Sequence, residues 1–281
     1  MADSKLSNKN CVNGEGKMAD NKIEGESEVW RKAISPVISV VLISSVLLLV
    51  LTMATFVSNN ILELKVQNTE FEQAKTNMLL LNEVIEEAGL KYNSGSYVQF
   101  NLRSGALEII ENNDNMTISI NGSQVATSRT LSIIYRAGKL VSSSNLNIKG
   151  SGSLIINASG SLDSLGYLRI RGDGEARIEL DYNRIRIRQN IGVAVINGKE
   201  YDILEIMFFQ IERKSGGGSG LLRVKAQNKG IFVESHVYDG NLIEVSAKLG
   251  SRNESYKYFS EKSGTVVVII KSVIEVSAQG G

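Results

Sequence analysis

Cysteine, histidine, proline and tryptophan each occur once in 281 residues, as Cys11, His236, Pro36 and Trp30. A lone cysteine excludes an intrachain disulfide, so stability has to come from packing. One cysteine and one histidine cannot build a Cys/His metal cluster, and a catalytic triad would have to use His236. An excess of charge is missing as well. With 31 Lys+Arg against 30 Asp+Glu the net charge is +1, which gives no general case for nucleic acid or an acidic substrate. The 26 glycines, with many Ser, Thr and Asn, suit a chain of β-turns and strands. The length allows one large domain or two small ones.

Against this background one stretch stands out. Ile34 to Val57 reads ISPVISVVLISSVLLLVLTMATFV, 24 residues without a charge. As a helix it would be about 36 Å long, enough to cross a hydrocarbon core of about 30 Å with some tilt. Pro36, at its third position, costs little in a first helical turn, where the N–H has no partner anyway. A helix apolar all round has to be buried, in lipid or against other helices. The leader, residues 1–33, holds six Lys+Arg and six Asp+Glu and few large apolar residues, so it is expected to be disordered and cytoplasmic. Met18 is a second plausible start, since MADNKIEG echoes MADSKLSN. The apolar run is longer than the core of a secretory signal peptide, and charge lies directly against it. Lys22, Arg31 and Lys32 precede the span and Lys65 alone follows it closely, so the positive-inside rule places the bulk of the chain outside the cell.

The string Arg31-Lys32-Ala33-Ile34-Ser35-Pro36-Val37-Ile38-Ser39 resembles the class III signal of archaeal type IV pilin-like proteins. The resemblance covers Arg31 to Ala88. It implies cleavage between Ala33 and Ile34 by a prepilin peptidase that reads the charge of Arg31 and Lys32 and the small Ala33. It also implies a lollipop-shaped subunit that assembles with copies of itself through the 34–57 helix into a cell-surface filament. Ile38 stands at the fifth mature position, where bacterial type IV pilins usually have Glu. That departure matches the archaeal type and removes the bacterial charge-pairing account of docking. The alternative is an uncut, single-pass membrane anchor carrying an extracellular binding, sensing or adhesion module. A third reading, a glycan-acting enzyme, needs paired carboxylates that the sequence does not locate.

Past Val57, the residues Ile61, Leu64, Phe71, Ala74, Met78, Leu81, Ile85 and Ala88 recur at three- or four-residue steps with one gap of seven, which extends the helix as an amphipathic one to about residue 90. Glu63, Glu70, Glu72, Glu83, Glu86 and Glu87 lie mostly off that face, and Gly89 reads as a C-cap. From 91 to 281 period-two alternation dominates, as in Met116-Ile118-Ile120, Ile185-Ile187 and Val266-Val268-Ile270. Asn121-Gly122, Asn197-Gly198 and Asp239-Gly240 read as hairpin turns. The expected fold class is α+β: the long hydrophobic helix, then a mostly antiparallel, sandwich-like β-domain of about 12–16 strands in one lobe or two, with 142–166 as a junction. Gly216 to Gly220 reads as a flexible hairpin loop. The apolar run Thr265 to Val276 reads as a buried central strand or, in a sharper version, as a strand offered to a neighbouring subunit.

No catalytic, cofactor or metal site emerges. Asn115, Asn121, Asn157 and Asn253 head N-glycosylation sequons, all in the expected outer region. Arg184, Arg186 and Arg188 are expected on the solvated face of a strand. Arg171-Gly172-Asp173 is expected to be an ordinary turn rather than an adhesion tripeptide. Ser235 and His236, as strand neighbours, would face opposite ways and cannot act as a pair.

Overall fold

The structure, a computed structural model, describes residues 24–158 and 163–280, with side chains from Pro36 onward. Cys11 and Met18 lie outside the described residues. The class is α+β, with one long helix whose apolar part precedes a large, mostly antiparallel sheet. The chain divides into two compact units, residues 1–60 and 61–281. Helix α1 (Glu24–Leu90) runs through both.

In the second unit, α1 turns one face inward. Phe71, Ala74, Met78, Leu81, Ile85 and Ala88 are buried, as their spacing predicts, and Met78, Leu81 and Ile85 have no exposed surface. Burial of such a side chain is worth about 1.5–3 kcal/mol. Ile61 and Leu64, expected on this face, are exposed. The seven-residue gap between Leu64 and Phe71 is filled by two buried polar residues, Gln67 and Glu70, so Glu70 sits on the packed face rather than off it. Gly89 is not a left-handed cap. It lies inside the helix, where a Cβ would come within 2.4 Å of the Phe209 ring. The Asn228 Nδ2 closes the helix end by donating to the Ala88 carbonyl at 2.8 Å, and Asn93, at φ 55°, turns the chain away.

Among the described residues twelve strands form one hydrogen-bonded sheet: β1 (Gly95–Ile120), β2 (Ser123–Arg136), β3 (Leu146–Lys149), β4 (Ile155–Asn157), β5 (Tyr167–Arg171), β6 (Arg177–Asp181), β7 (Ile185–Arg188), β8 (Val193–Ile196), β9 (Lys199–Asp239), β10 (Leu242–Leu249), β11 (Arg252–Phe259) and β12 (Gly264–Gly280). The main path runs β3-β5-β6-β2-β1-β9-β7-β4. β10 joins β1 to β11, while β8 and β12 pair with β9. The sheet encloses two apolar cores. The first packs α1 against β1, β2, β5, β6 and parts of β9 and β12. The second gathers Met116, Ile118, Ile120, Ile185, Ile187, Leu204, Ile206, Phe208, Val245, Val267 and Ile269. β1 serves both. Leu107 and Ile109 enter the first core and Met116, Ile118 and Ile120 the second, and the switch from odd to even positions falls at the irregularity between Glu111 and Asn115, where the polar run is exposed.

Two of the three expected hairpin turns form as read: Asn121-Gly122 (φ 48° and 81°) and Asn197-Gly198 (φ 52° and 76°) have the left-handed angles of type I′. At Asp239-Gly240 only Gly240 has positive φ, and β9 and β10 do not pair, so this turn redirects the chain without making a hairpin. The glycine run also departs from the expectation. The two limbs of β9, residues 199–216 and 222–239, lie on either side of β12 instead of on each other. Thr265 faces Asp202 and Val276 faces Arg213, numbers rising together, so the first limb is parallel to β12. Thr265 also faces Tyr238 and Val276 faces Ala226, so the second limb is antiparallel. Gly217, at φ 118°, passes where a Cβ would come within 2.0 Å of the Leu107 carbonyl oxygen, an approach open to glycine alone. β12 is therefore a buried central strand, and with both its edges occupied it is not the strand offered to a neighbour.

Candidate functional site

In the first unit, every described side chain from Pro36 to Asn60 is exposed, and Leu48 and Phe56 both reach 69%. The segment is long and apolar enough to cross a membrane. Three of its hydroxyls bond back to the helix. Ser45 Oγ donates to the Val41 carbonyl at 2.7 Å, Thr55 Oγ1 to Leu51 at 2.8 Å, and Thr52 Oγ1 to Leu48. Each of these three hydroxyls is thus satisfied within the helix and can meet lipid or another apolar helix without being a stranded donor. Arg31, Lys32, Ala33 and Ile34 lie in the helical backbone of α1, and their side chains are outside the described residues.

In the second unit, four polar side chains hold α1 in its seat. The Glu70 carboxylate accepts from the N–H of Ser104 (2.9 Å), Ser104 Oγ (2.7 Å), the N–H of Gly105 (2.8 Å) and the Tyr135 hydroxyl (3.2 Å). Burial pushes its pKa up, but the Ser104, Gly105 and Tyr135 donors outweigh that and hold it below the usual value. Burial, then the Glu70 charge, raises the Tyr135 phenol and keeps it protonated as a donor. Gln67 Oε1 accepts the N–H of Leu140 at 3.0 Å. Asn82 Oδ1 accepts from the Tyr182 hydroxyl at 2.9 Å, and Glu86 accepts the N–H of Gly166 at 3.2 Å together with the Ser164 hydroxyl. Glycines give these groups room. A Cβ on Gly166 would lie 1.7 Å from Asn82 Oδ1, and one on Gly138 would lie 2.4 Å from Gln67 Oε1. The one legible trace of this seat in the sequence is the seven-residue gap in the apolar pattern.

The four sequon asparagines are all exposed. Asn115 lies in β1 opposite Arg129. Asn121 sits in a turn with its Oδ1 accepting the Glu244 N–H at 2.9 Å. Asn157 ends β4, its Ser159 lying outside the described residues, and Asn253 lies in β11 opposite Lys248. The arginine stripe is not a solvated face. Arg186 is buried because β7 is covered on both sides, and Arg184, just before it, is buried as well. Arg184 lies over the Tyr167 ring, 4.9 Å from its centroid, and bonds Asp181. Arg186 donates to Met207 Sδ at 3.0 Å, and Arg188 pairs with Glu205 at 3.3 Å. Burial lowers the pKa of Arg184 and Arg186. The Arg171-Gly172-Asp173 turn is fastened down: Arg171 pairs with Glu179 at 3.0 Å, and the Gly172 N–H donates to Asn145 Oδ1 at 2.9 Å. The nearest charged partner of His236 is Glu234 at 3.9 Å. Among the described residues, no group of three His, Cys, Asp or Glu is placed to hold a metal ion.

In comparisons with known proteins, no family model matches this chain, no curated protein matches its sequence and no solved structure matches its fold.

Proposed function

We propose that the chain is a structural subunit of a cell-surface filament, of the kind that archaeal type IV pilin-like proteins build. In this reading a prepilin peptidase cuts between Ala33 and Ile34. The released 34–57 helix leaves the bilayer to pack with copies of itself, and the β-rich unit, carrying Asn115, Asn121, Asn157 and Asn253 as acceptors for glycan, faces outward. The observation that supports it is the exposed apolar helical surface from Pro36 to Asn60, with Ser45, Thr52 and Thr55 bonded back to the helix, close after the Arg31-Lys32-Ala33 string. Such a surface is stable in lipid and stable against its own kind, which a filament core requires and a plain anchor does not. N-terminal sequencing of membranes and of fibres sheared from cells tests it. A mature chain starting at Ile34 in the fibres is expected; a retained leader in every fraction rejects it.

The second reading is an uncut membrane anchor displaying a binding module. It is favoured by the unbroken course of α1 across the Ala33–Ile34 bond, since a protease needs that backbone pulled out of its helix. Lys32→Glu separates the two: a pilin precursor accumulates uncut, with its mass raised by the leader, whereas an anchor keeps its mass and its surface display.

A further inference from the structure

Along its inner side the second limb of β9 pairs with β12 from Gly230 opposite Val273 to Asp239 opposite Gly264, and β1 covers its outer side only up to Gln227. Among the described residues no strand lies along the outer side of 229–239. This leaves a stiff, open edge whose alternate N–H and C=O groups face solvent. Phe232, Val233 and Val237 on it are 56%, 61% and 50% exposed, and no lysine or proline interrupts it between Gly230 and Asp239. Natural edges of this length are ordinarily blunted by such residues.

We infer that this edge pairs with the same edge of a second copy, as an antiparallel two-fold contact centred on Ser235. In an antiparallel ladder the N–H and C=O of one residue point the same way, and alternate residues face the neighbour, so the two-fold axis of two identical edges passes through a residue. An axis at Glu234 sets two carboxylates opposite each other. An axis at His236 sets Ser235 against Val237, Glu234 against Tyr238 and Val233 against Asp239, and so forms neither an opposite-charge nor an apolar pair. The axis at Ser235 sets Glu234 opposite His236, Val233 opposite Val237 and Phe232 opposite Tyr238, so residues 232–238 gain complementary pairs on both faces and no like charge, with Ile231 against Asp239 left to the two ends of the ladder. That self-complementarity selects a second copy over any other strand. The inference stands independently of the filament reading, since it concerns the β-rich unit alone.

The test is a disulfide. Full-length Ser235→Cys is made in a Cys11→Ser background, purified in mild detergent and oxidised. Directly opposed strand residues have Cβ atoms about 4.5–5.5 Å apart, close enough to form a bond with little backbone movement. The expected result is that Ser235→Cys forms a disulfide-linked dimer at least about tenfold faster than Lys257→Cys, placed on exposed β11, while Val233→Cys mixed with Val237→Cys gives the heterodimer. Adding Glu234→Lys, which sets a lysine against His236, lowers the dimer yield of Ser235→Cys about tenfold, and adding His236→Glu restores it. Equal rates for cysteines at positions 235 and 257, or a yield from Ser235→Cys indifferent to Glu234→Lys, overturns the inference. Association driven by the apolar helices would raise both cysteines alike.

Discussion

Glu70 shows how a single residue can fasten a helix. Its carboxylate is buried beneath four donors, and leaving those donors unmatched costs about 1–3 kcal/mol each in the worst geometry. Glu70→Ala is therefore expected to destabilise the second unit by about 2–4 kcal/mol, read by thermal or urea unfolding, with Glu70→Gln recovering part of the loss. The charge also gives a pH signature. A carboxyl whose folded pKa lies below its unfolded value stabilises the fold above the unfolded value of 4.5, and that contribution disappears as pH falls through the lower, folded one. Glu254, half-buried, is pushed up by that burial yet held low overall by the N–H groups of Leu154 and Ile155 and by Arg252, and acts in the same direction. Unfolding free energy should fall below about pH 4.5, and the fall should be shallower in Glu70→Gln. Gly166 and Asn82 form a second coupled pair. Gly166→Ala drives a methyl into the Asn82 amide and should cost about 1–3 kcal/mol, and in the Asn82→Ala background the same substitution should cost much less, so a double-mutant cycle returns a clear coupling energy. None of these roles can be read from residue type. Glutamates and asparagines on a helix are ordinarily exposed, and it is the tertiary donors, drawn from residues 34 to 100 positions away, that bury these.

At the scale of elements, periodicity is a good guide wherever one face of a segment meets one neighbour. The buried face from Phe71 to Ala88 and the alternation in β1 and β10 follow from spacing alone, whereas the burial of β12 follows from its unbroken apolar run, since Val267 and Ile269 are buried between the expected Val266, Val268 and Ile270. It fails where an element is covered on both sides or bound through polar groups. Arg184 and Arg186 alternate with Ile185 and Ile187 as a half-wet strand would, yet both arginines are buried, Arg184 against Asp181 and the Tyr167 ring and Arg186 against Met207. Pairing order is equally hidden. Nothing in the glycine run announces that β12, last in the chain, lies between the two limbs of β9, because the pairing depends on which strand arrives between them and not on the turn. This order has a consequence. Deleting residues 264–281 leaves both limbs without their shared partner and should abolish the cooperative transition rather than merely weaken it, seen as loss of the thermal unfolding peak. In the intact chain, amide hydrogen exchange should be slowest in β12, which is bonded on both edges. In 231–239 the amides facing β12 should exchange slowly and the outward ones quickly, unless a second copy covers them.

The molecule as a whole joins two units that ask for different surroundings. Residues 36–60 carry an exposed apolar surface, whereas residues 61–281 hold both apolar cores. If the second unit owes its stability to its own cores and to the seat made by Gln67, Glu70, Asn82 and Glu86, a chain of residues 61–281 should fold unaided. It should be water-soluble without detergent and unfold cooperatively, with a free energy within about 2 kcal/mol of the same transition in the full chain. A charge placed in the other unit should act in the opposite way. Leu48→Lys costs about 2.5–3.5 kcal/mol in a bilayer and should deplete the full chain from membranes while leaving the β-rich transition in place. Circular dichroism of the fragment and fractionation of the variant measure the two effects separately. A fragment that stays unfolded would mean that the apolar helix contributes to the β-rich core, and such a helix could not exchange lipid for neighbouring helices without unfolding the unit it carries. Independent folding of 61–281 is thus the energetic condition under which one helix can serve first as an anchor and later as the core of a fibre.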